Sequence, residues 1–215
     1  MKKKTIEVPT SWKDVTLRKY LELQETLKGF EGNEDAQTAS LLYHLCGLEG
    51  KEILGLSTES YNTLKSTLLS FMNADNESLQ RIIRIGDEEW GFEPNLSRMS
   101  YGAYCDITKY NELGIDKNWA KIMSILYRKV VKRFGETYEI EPYKGVIDET
   151  PFLDLDMSIH FGAYFFFVHL SMDLVNSTLN YSMKDQVDLP PNIKQILVKS
   201  GHLMQQSLNL REEIY

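Results

Sequence analysis

Four histidines are the first candidates for chemistry, because imidazole is a common metal ligand and a general base near neutral pH. They lie at His44, His160, His169 and His202. None of them forms the i, i+4 pair or the HExxH pattern of a zinc site, and no cysteine or carboxylate stands at a matching distance. We therefore predict no metal site from the sequence.

Two pairs of carboxylates stand at alternate positions, Glu139 with Glu141 and Asp154 with Asp156. A strand would place both members of a pair on one face. Acid–base catalysis would also need a desolvated cleft that separates their pKa values, so a solvated face is favoured. The chain also lacks the GxxxxGK[ST], GxGxxG and GxSxG motifs. We predict no catalytic and no cofactor-binding residue, and an enzyme whose site is not visible in the sequence stays an alternative.

Six residues, most of them aromatic, are candidates for an interaction surface or for the core of an internal repeat: Trp12, Tyr20, Tyr43, Tyr104, Tyr127 and Arg128. A tyrosine can place its ring in a core and its hydroxyl at the rim, so packing within helix pairs is favoured over contact with a ligand. Arg128 is a candidate for a buried or interface ion pair, because a guanidinium forms bidentate bonds that lysine cannot reproduce.

The tyrosines mark an internal repeat. Residues 98–127 align without a gap on residues 14–43, at an offset of 84 positions. Five positions of the first copy are identical in the second: Tyr20, Ala36, Ser40, Leu42 and Tyr43. Roughly two identities would be expected from ordinary residue frequencies. The alignment predicts a duplicated helix–loop–helix unit, in which Tyr20 corresponds to Tyr104.

The spacing of apolar residues predicts the elements that hold these side chains. A helix is expected from Leu17 to about Leu27, and another over residues 118–131 in the second copy. The β-branched run at residues 82–85, followed by Gly86 and Asp87, predicts a small hairpin that ends before Pro94, and residues 137–141 predict a strand that could join it.

The C-terminal part of the chain is predicted to be helical. Residues 154–181 are strongly apolar, which is typical of a central helix, and Pro191 can begin a last amphipathic helix. We therefore predict a mainly α fold with two related helix–loop–helix units, a minor β hairpin or small sheet, and a long central apolar helix. Three domains are expected. Residues 1–75 form an N-terminal helical unit, residues 76–145 a second repeat unit with the β element, and residues 146–215 C-terminal apolar helices that pack on both.

Composition restricts the partners. The chain has 215 residues and a net charge of −7, which argues against general nucleic-acid binding because that needs a basic face. The two cysteines, Cys46 and Cys105, are far apart, as in a reduced intracellular protein. The most apolar stretch is about ten residues long, half of what a bilayer requires, so no membrane span is expected.

Two groups of segments resemble phage proteins. The segment SWKDVTLRKYLEL at residues 11–23, with residues 41–48 and 54–61, resembles the amino-terminal part of tail-assembly-chaperone-like proteins of tailed bacteriophages. Residues 90–96, 99–104, 125–128 and 138–143 are similar to proteins from phage structural-gene regions.

The resemblance implies a non-enzymatic protein that binds other virion or tail proteins during virion morphogenesis, without a cofactor. The alternative is a transient tail assembly chaperone that binds a tape-measure or tail-tube protein. A homo-oligomer is also left open. The expected location is the host cytoplasm during assembly, with retention in the virion undecided.

Overall fold

The computed structural model of the chain describes residues 6–72 and 78–185. Within these residues the chain forms eight α-helices and one four-stranded antiparallel sheet. The chain divides into two units, Met1–Gly162 and Ala163–Tyr215. The first unit contains the sheet, seven helices and the start of the eighth. In the second unit, the described residues continue the eighth helix.

The N-terminal part of the first unit is a helical region. Its members are α1 (Leu17–Lys28), α2 (Glu34–Cys46), α3 (Gly50–Leu54) and α4 (Thr58–Met72). Asn33 accepts a hydrogen bond from the backbone N–H of Ala36 at 3.1 Å and thereby caps α2. Gly47 ends that helix in the left-handed conformation, with φ of 64°. Leu23 and Leu42 are fully buried where α1 packs on α2.

The sheet is a meander in which each strand pairs with the next one in the sequence. Its strands are β1 (Ile82–Ile85), β2 (Glu88–Phe92), β3 (Tyr127–Phe134) and β4 (Thr137–Ile140), in the order β1-β2-β3-β4. Two-residue turns join β1 to β2 and β3 to β4, and each begins with a glycine at φ of 60°, Gly86 and Gly135. A bulge between Val130 and Lys132 bends β3.

A tyrosine ring lies across a glycine in the middle of this sheet. Tyr138 of β4 reaches over to β2, where its hydroxyl donates a hydrogen bond of 2.7 Å to the carbonyl oxygen of Phe92. A Cβ atom on Gly91 would lie 2.5 Å from the Tyr138 ring. The absence of a side chain at Gly91 therefore allows the curvature that brings β4 towards β2.

A second helix pair lies between β2 and β3 in the sequence. It consists of α5 (Tyr101–Glu112) and α6 (Ile115–Leu126). Helix α6 packs one strongly apolar face, and Met123, Ile125 and Leu126 are fully buried. Strand β3 begins at Tyr127, directly after the last residue of α6.

The last two helices are joined by a segment that contacts the residues before α1. They are α7 (Thr150–Leu153) and α8 (Met157–Asp185). Between them the chain pairs with the residues before α1, because the Leu17 N–H donates to the Leu155 carbonyl at 3.0 Å and the Met157 N–H donates to the Val15 carbonyl at 2.8 Å. Phe152 of α7 is fully buried, and its ring centroid lies 5.7 Å from that of Trp90.

The predicted fold class is wrong. The described residues are about 59% helical and 14% strand, and they contain no long apolar helix. The first five residues of the longest strand, β3, lie in the segment that the spacing had assigned to a helix ending at residue 131. Helix α8 is 29 residues long, but it includes Ser158, His160 and Asp173, and His169 and Leu170 are exposed.

The two aligned segments agree in the bounds of their first helix and differ in the element that follows. Helices α1 and α5 have 12 residues each and begin 84 positions apart, and each is capped by a hydroxyl, of Thr16 and Ser100 respectively. Helix α6 begins at residue 115, three positions earlier than the offset requires from α2. Tyr43 lies in α2 whereas Tyr127 lies in β3, so the prediction of two equivalent helix–loop–helix units is wrong. The three-domain division stays a prediction, and the helix expected from Pro191 lies outside the described residues.

Candidate interaction surface

Helix α5 presents aromatic side chains to solvent. Tyr101 is 81% exposed and Tyr104 is 59% exposed, and their rings stack with centroids 6.5 Å apart at an interplanar angle of 28°. The exposed Cys105 lies on the same side of the helix, one turn from Tyr101. A side-chain hydrogen bond with Cys105 is the largest of the effects that raise the pKa of Tyr101. We call Tyr101, Tyr104 and Cys105 the α5 tyrosine face.

Other contacts fix the orientation of this helix. Ser100 accepts a hydrogen bond from the Ala103 N–H at 3.3 Å and so caps the first turn, and Ala103 is buried. The ring of Tyr143 covers the neighbouring side of α5, where a Cβ atom on Gly102 would lie 3.7 Å from it. The Tyr143 hydroxyl donates a hydrogen bond to Asp106, and burial, followed by this bond, raises the pKa of Tyr143. The tyrosine face is therefore displayed on a helix that is held in place on two other sides.

Helix α1 is an internal reference for this surface, because it has the same length and the same type of cap. At the position of Tyr101 it has Leu17, which is buried. At the position of Tyr104 it has Tyr20, whose ring makes edge-on contacts with Trp12 and Phe161 at centroid distances of 5.9 and 5.7 Å. The exposed residues of α1 are mostly charged: Arg18, Lys19, Glu22, Glu25 and Lys28. The chain thus covers in α1 the positions that α5 leaves exposed.

A buried ion pair supports the sheet near α5. Arg128 of β3 pairs with Glu93, which follows β2, and their side chains are 13% and 10% exposed. A second guanidinium nitrogen of Arg128 donates to the carbonyl oxygen of Glu141, after β4, at 2.9 Å. The arginine therefore joins the ends of three strands. This is the ion pair that was expected of Arg128 from its type, and sequence reasoning had not named its partner.

The six residues selected from the sequence do not form one site. Trp12 is buried and packs with Tyr20, while Tyr43 is 56% exposed and lies beside His44 on α2. Tyr127 is fully buried, and its hydroxyl donates to the Gln80 carbonyl oxygen at 2.6 Å. The expectation that all four repeat tyrosines pack in helix pairs is therefore wrong for Tyr43 and Tyr104, which are exposed, and for Tyr127, which lies in β3 and packs against Phe92 of β2.

Sequence reasoning missed Tyr101. The signal was available in the alignment of the two copies, where Tyr101 replaces Leu17 and the charged Arg18 and Lys19 are replaced by Gly102 and Ala103. Helix α5 thus gains an aromatic residue and loses two charged ones. This change indicates that the exposed face of α5 is less charged and more aromatic than that of α1.

Within residues 6–72 and 78–185, no group of three or more histidine, cysteine, aspartate or glutamate side chains could hold a metal ion. None of the helices in that part of the chain combines the length and apolar character needed to cross a membrane.

Comparisons with protein-family models, curated proteins and solved structures give no match to this chain.

Proposed function

We propose that this chain is a non-enzymatic protein-binding component of virion morphogenesis in a tailed phage, and that it binds a virion or tail protein through the α5 tyrosine face. The observation that supports binding is the stacked, exposed pair Tyr101 and Tyr104. The phage context is supported by the resemblance of residues 11–23 to tail-assembly-chaperone-like proteins and of residues 99–104 to proteins from phage structural-gene regions.

Physical reasons favour a protein partner for such a surface. Tyrosine is enriched among the residues that contribute most to protein interfaces, because its ring buries a large area while ordering only two side-chain torsions. Leaving two adjacent rings in water forgoes the stabilisation that burial would give them. The α1 equivalent of Tyr104, Tyr20, packs against the rings of Trp12 and Phe161, which indicates the kind of contact that the α5 tyrosine face can make.

Site-specific crosslinking during phage assembly tests the proposal. A photoreactive phenylalanine analogue would replace Tyr101, and as a control it would replace Glu25, an exposed residue of α1. We expect the analogue at position 101 to crosslink to a phage virion or tail protein, and the analogue at position 25 not to do so. Equal crosslinking from both positions, or crosslinks from position 101 to host enzymes alone, would contradict the proposal.

A pair of matched double variants measures the contribution of the rings. Replacing Tyr101 and Tyr104 with serine should weaken binding to the crosslinked partner by roughly tenfold or more. The control replaces Glu22 and Glu25 of α1 with serine. These two residues have the same i, i+3 spacing and lie on the outer face of a helix of the same length. Binding by the control should be unchanged. If both double variants bind like the unsubstituted chain, the α5 tyrosine face is not the interface.

Mass spectrometry of purified particles separates the two assembly roles. A structural component should be present in intact particles in a fixed ratio to the other virion proteins. A transient tail assembly chaperone should be absent from particles and should co-purify with a tape-measure or tail-tube protein instead.

A further inference from the structure

His160 is a fully buried histidine in the first turn of α8, with 1% of its surface exposed. Its Nε2 atom lies 2.9 Å from the carbonyl oxygen of Phe152 in α7. Because a carbonyl can only accept, Nε2 carries the hydrogen and Nδ1 is the unprotonated nitrogen. Within the described residues, Nδ1 is buried and has no hydrogen-bond partner. The ring is therefore held in its neutral form.

Protonation of Nδ1 would be unfavourable for three physical reasons. The new N–H would be buried without an acceptor, and the positive charge would lie in a poorly solvated interior. The positive end of the α8 dipole is also at this turn, and it disfavours a second positive charge. Burial is the largest effect and lowers the pKa of His160 to about 4.

The charged groups around the ring do not offset this cost. Asp156 is the carboxylate whose charge favours protonation, but its Oδ1 atom already accepts hydrogen bonds from the Ser158 backbone and hydroxyl. Asp154 is paired with Arg18 of α1. Gln80, which approaches Ser158 from the segment before β1, is neutral.

The same turn holds several parts of the first unit together. Residue 156 forms an antiparallel bridge with Thr16, which caps α1. Gly162, half a turn beyond His160, lies close to the segment before β1. A Cβ atom on Gly162 would be 2.5 Å from the carbonyl oxygen of Ser78 in that segment. Movement of His160 out of its site would therefore loosen contacts to both the start of α1 and the segment before β1.

We propose that His160 is an acid-sensitive latch, whose protonation releases the segment from α7 to the first turn of α8 from the residues that precede α1. In the closed arrangement the His160 ring is buried and neutral, and in the open arrangement it is exposed to solvent. At pH values above the pKa of an exposed histidine, near 6.5, the closed arrangement has its full stability. Because the buried ring has the lower pKa, the open arrangement takes up the proton first as the pH falls. Stability of the closed arrangement is lost between about pH 6.5 and pH 4.

Hydrogen exchange on the full-length chain tests the latch. For peptides covering residues 150–161, the population of the open state should rise roughly fiftyfold between pH 7 and pH 4.5, after correction for the intrinsic exchange rate. The variant His160→Gln keeps an N–H donor for the Phe152 carbonyl and does not titrate, so it should lack this rise. His169→Gln, at an exposed histidine of the same helix, is the control and should behave like the unsubstituted chain.

NMR titration of the histidine side chains in the unsubstituted chain gives a second, independent result if His160→Gln folds poorly. The His160 ring signals should not titrate above pH 5. A His160 pKa at or above 6.5, or an equal rise in exchange in His160→Gln and the unsubstituted chain, would overturn the proposal.

Discussion

Replacement of Arg128 by methionine should destabilise the chain strongly, because it leaves a carboxylate buried without its partner. The side chain of Glu93 is 10% exposed, so water cannot replace the lost guanidinium. Removing one member of a buried ion pair typically costs about 3–5 kcal/mol. The Arg128 Nε atom is itself buried and has no partner within the described residues, and methionine removes that unfavourable feature. We therefore expect a loss of about 3 kcal/mol in the free energy of unfolding.

A double-mutant cycle with Glu93→Met distinguishes the lost ion pair from lost packing. The double variant has no buried charge left to solvate, so it should be more stable than Arg128→Met alone. Urea denaturation followed by circular dichroism measures all four proteins. The reasoning would be refuted if Arg128→Met cost less than about 1 kcal/mol, or if the two single losses simply added in the double variant.

The neighbouring residue supplies a matched control. Lys129 of β3 pairs with Glu88 of β2, but their side chains are 43% and 53% exposed. An exposed pair gains little because water solvates both charges. The urea midpoint of Lys129→Met should therefore equal that of the unsubstituted chain within experimental error. Raising the salt concentration should change the stability loss of the Arg128 variants little.

Two further substitutions test packing by the same denaturation assay. Gly162→Ala would place Cβ 2.5 Å from the Ser78 carbonyl oxygen, which is backbone and cannot rotate away, so we expect a loss of about 2 kcal/mol despite the higher helix propensity of alanine. An unchanged or raised stability would contradict the close approach. Tyr127→Phe removes the donor to the partly buried Gln80 carbonyl and should cost about 1–2 kcal/mol. A phenylalanine variant as stable as the unsubstituted chain would show that this hydrogen bond contributes nothing.

Local sequence signals located the first helix of the chain because those signals are contained within a few turns. The spacing of apolar residues predicts a helix from Leu17 to about Leu27, close to the observed α1. The hairpin over residues 82–92 was likewise visible, because Gly86 and Asp87 supply its turn. In each case the residues that decide the conformation are neighbours in the sequence.

The end of α6 could not be read in this way. Leu126, Tyr127 and Val130 continue the helical spacing, so periodicity alone extends the helix to residue 131. The chain changes to a strand at Tyr127 because residues 127–129 pair with residues 90–92 of β2, far away in the sequence. Pairing between strands so far apart produces no signal in the sequence around residue 127. The pairing nevertheless overrides the helix propensity of these residues.

The exposure of the α5 tyrosine face likewise depends on contacts between residues that are far apart in the sequence. Tyr20 and Tyr104 occupy equivalent positions in helices of equal length, and the tyrosine itself does not show which of the two is covered. They differ because Trp12 and Phe161 cover the first and leave the second uncovered. A residue's role at a surface is decided by what the rest of the chain brings to it.

The direct passage from α6 into β3 has a mechanical consequence. With no residue between Leu126 and Tyr127 that belongs to neither element, there is no hinge at which the helix could pivot against the sheet. The Glu93 N–H also donates to the Leu126 carbonyl at 2.8 Å, which fastens the junction to the end of β2. A pull on α6 would therefore be transmitted directly to the strands, and the helix and the sheet would move as one stiff body.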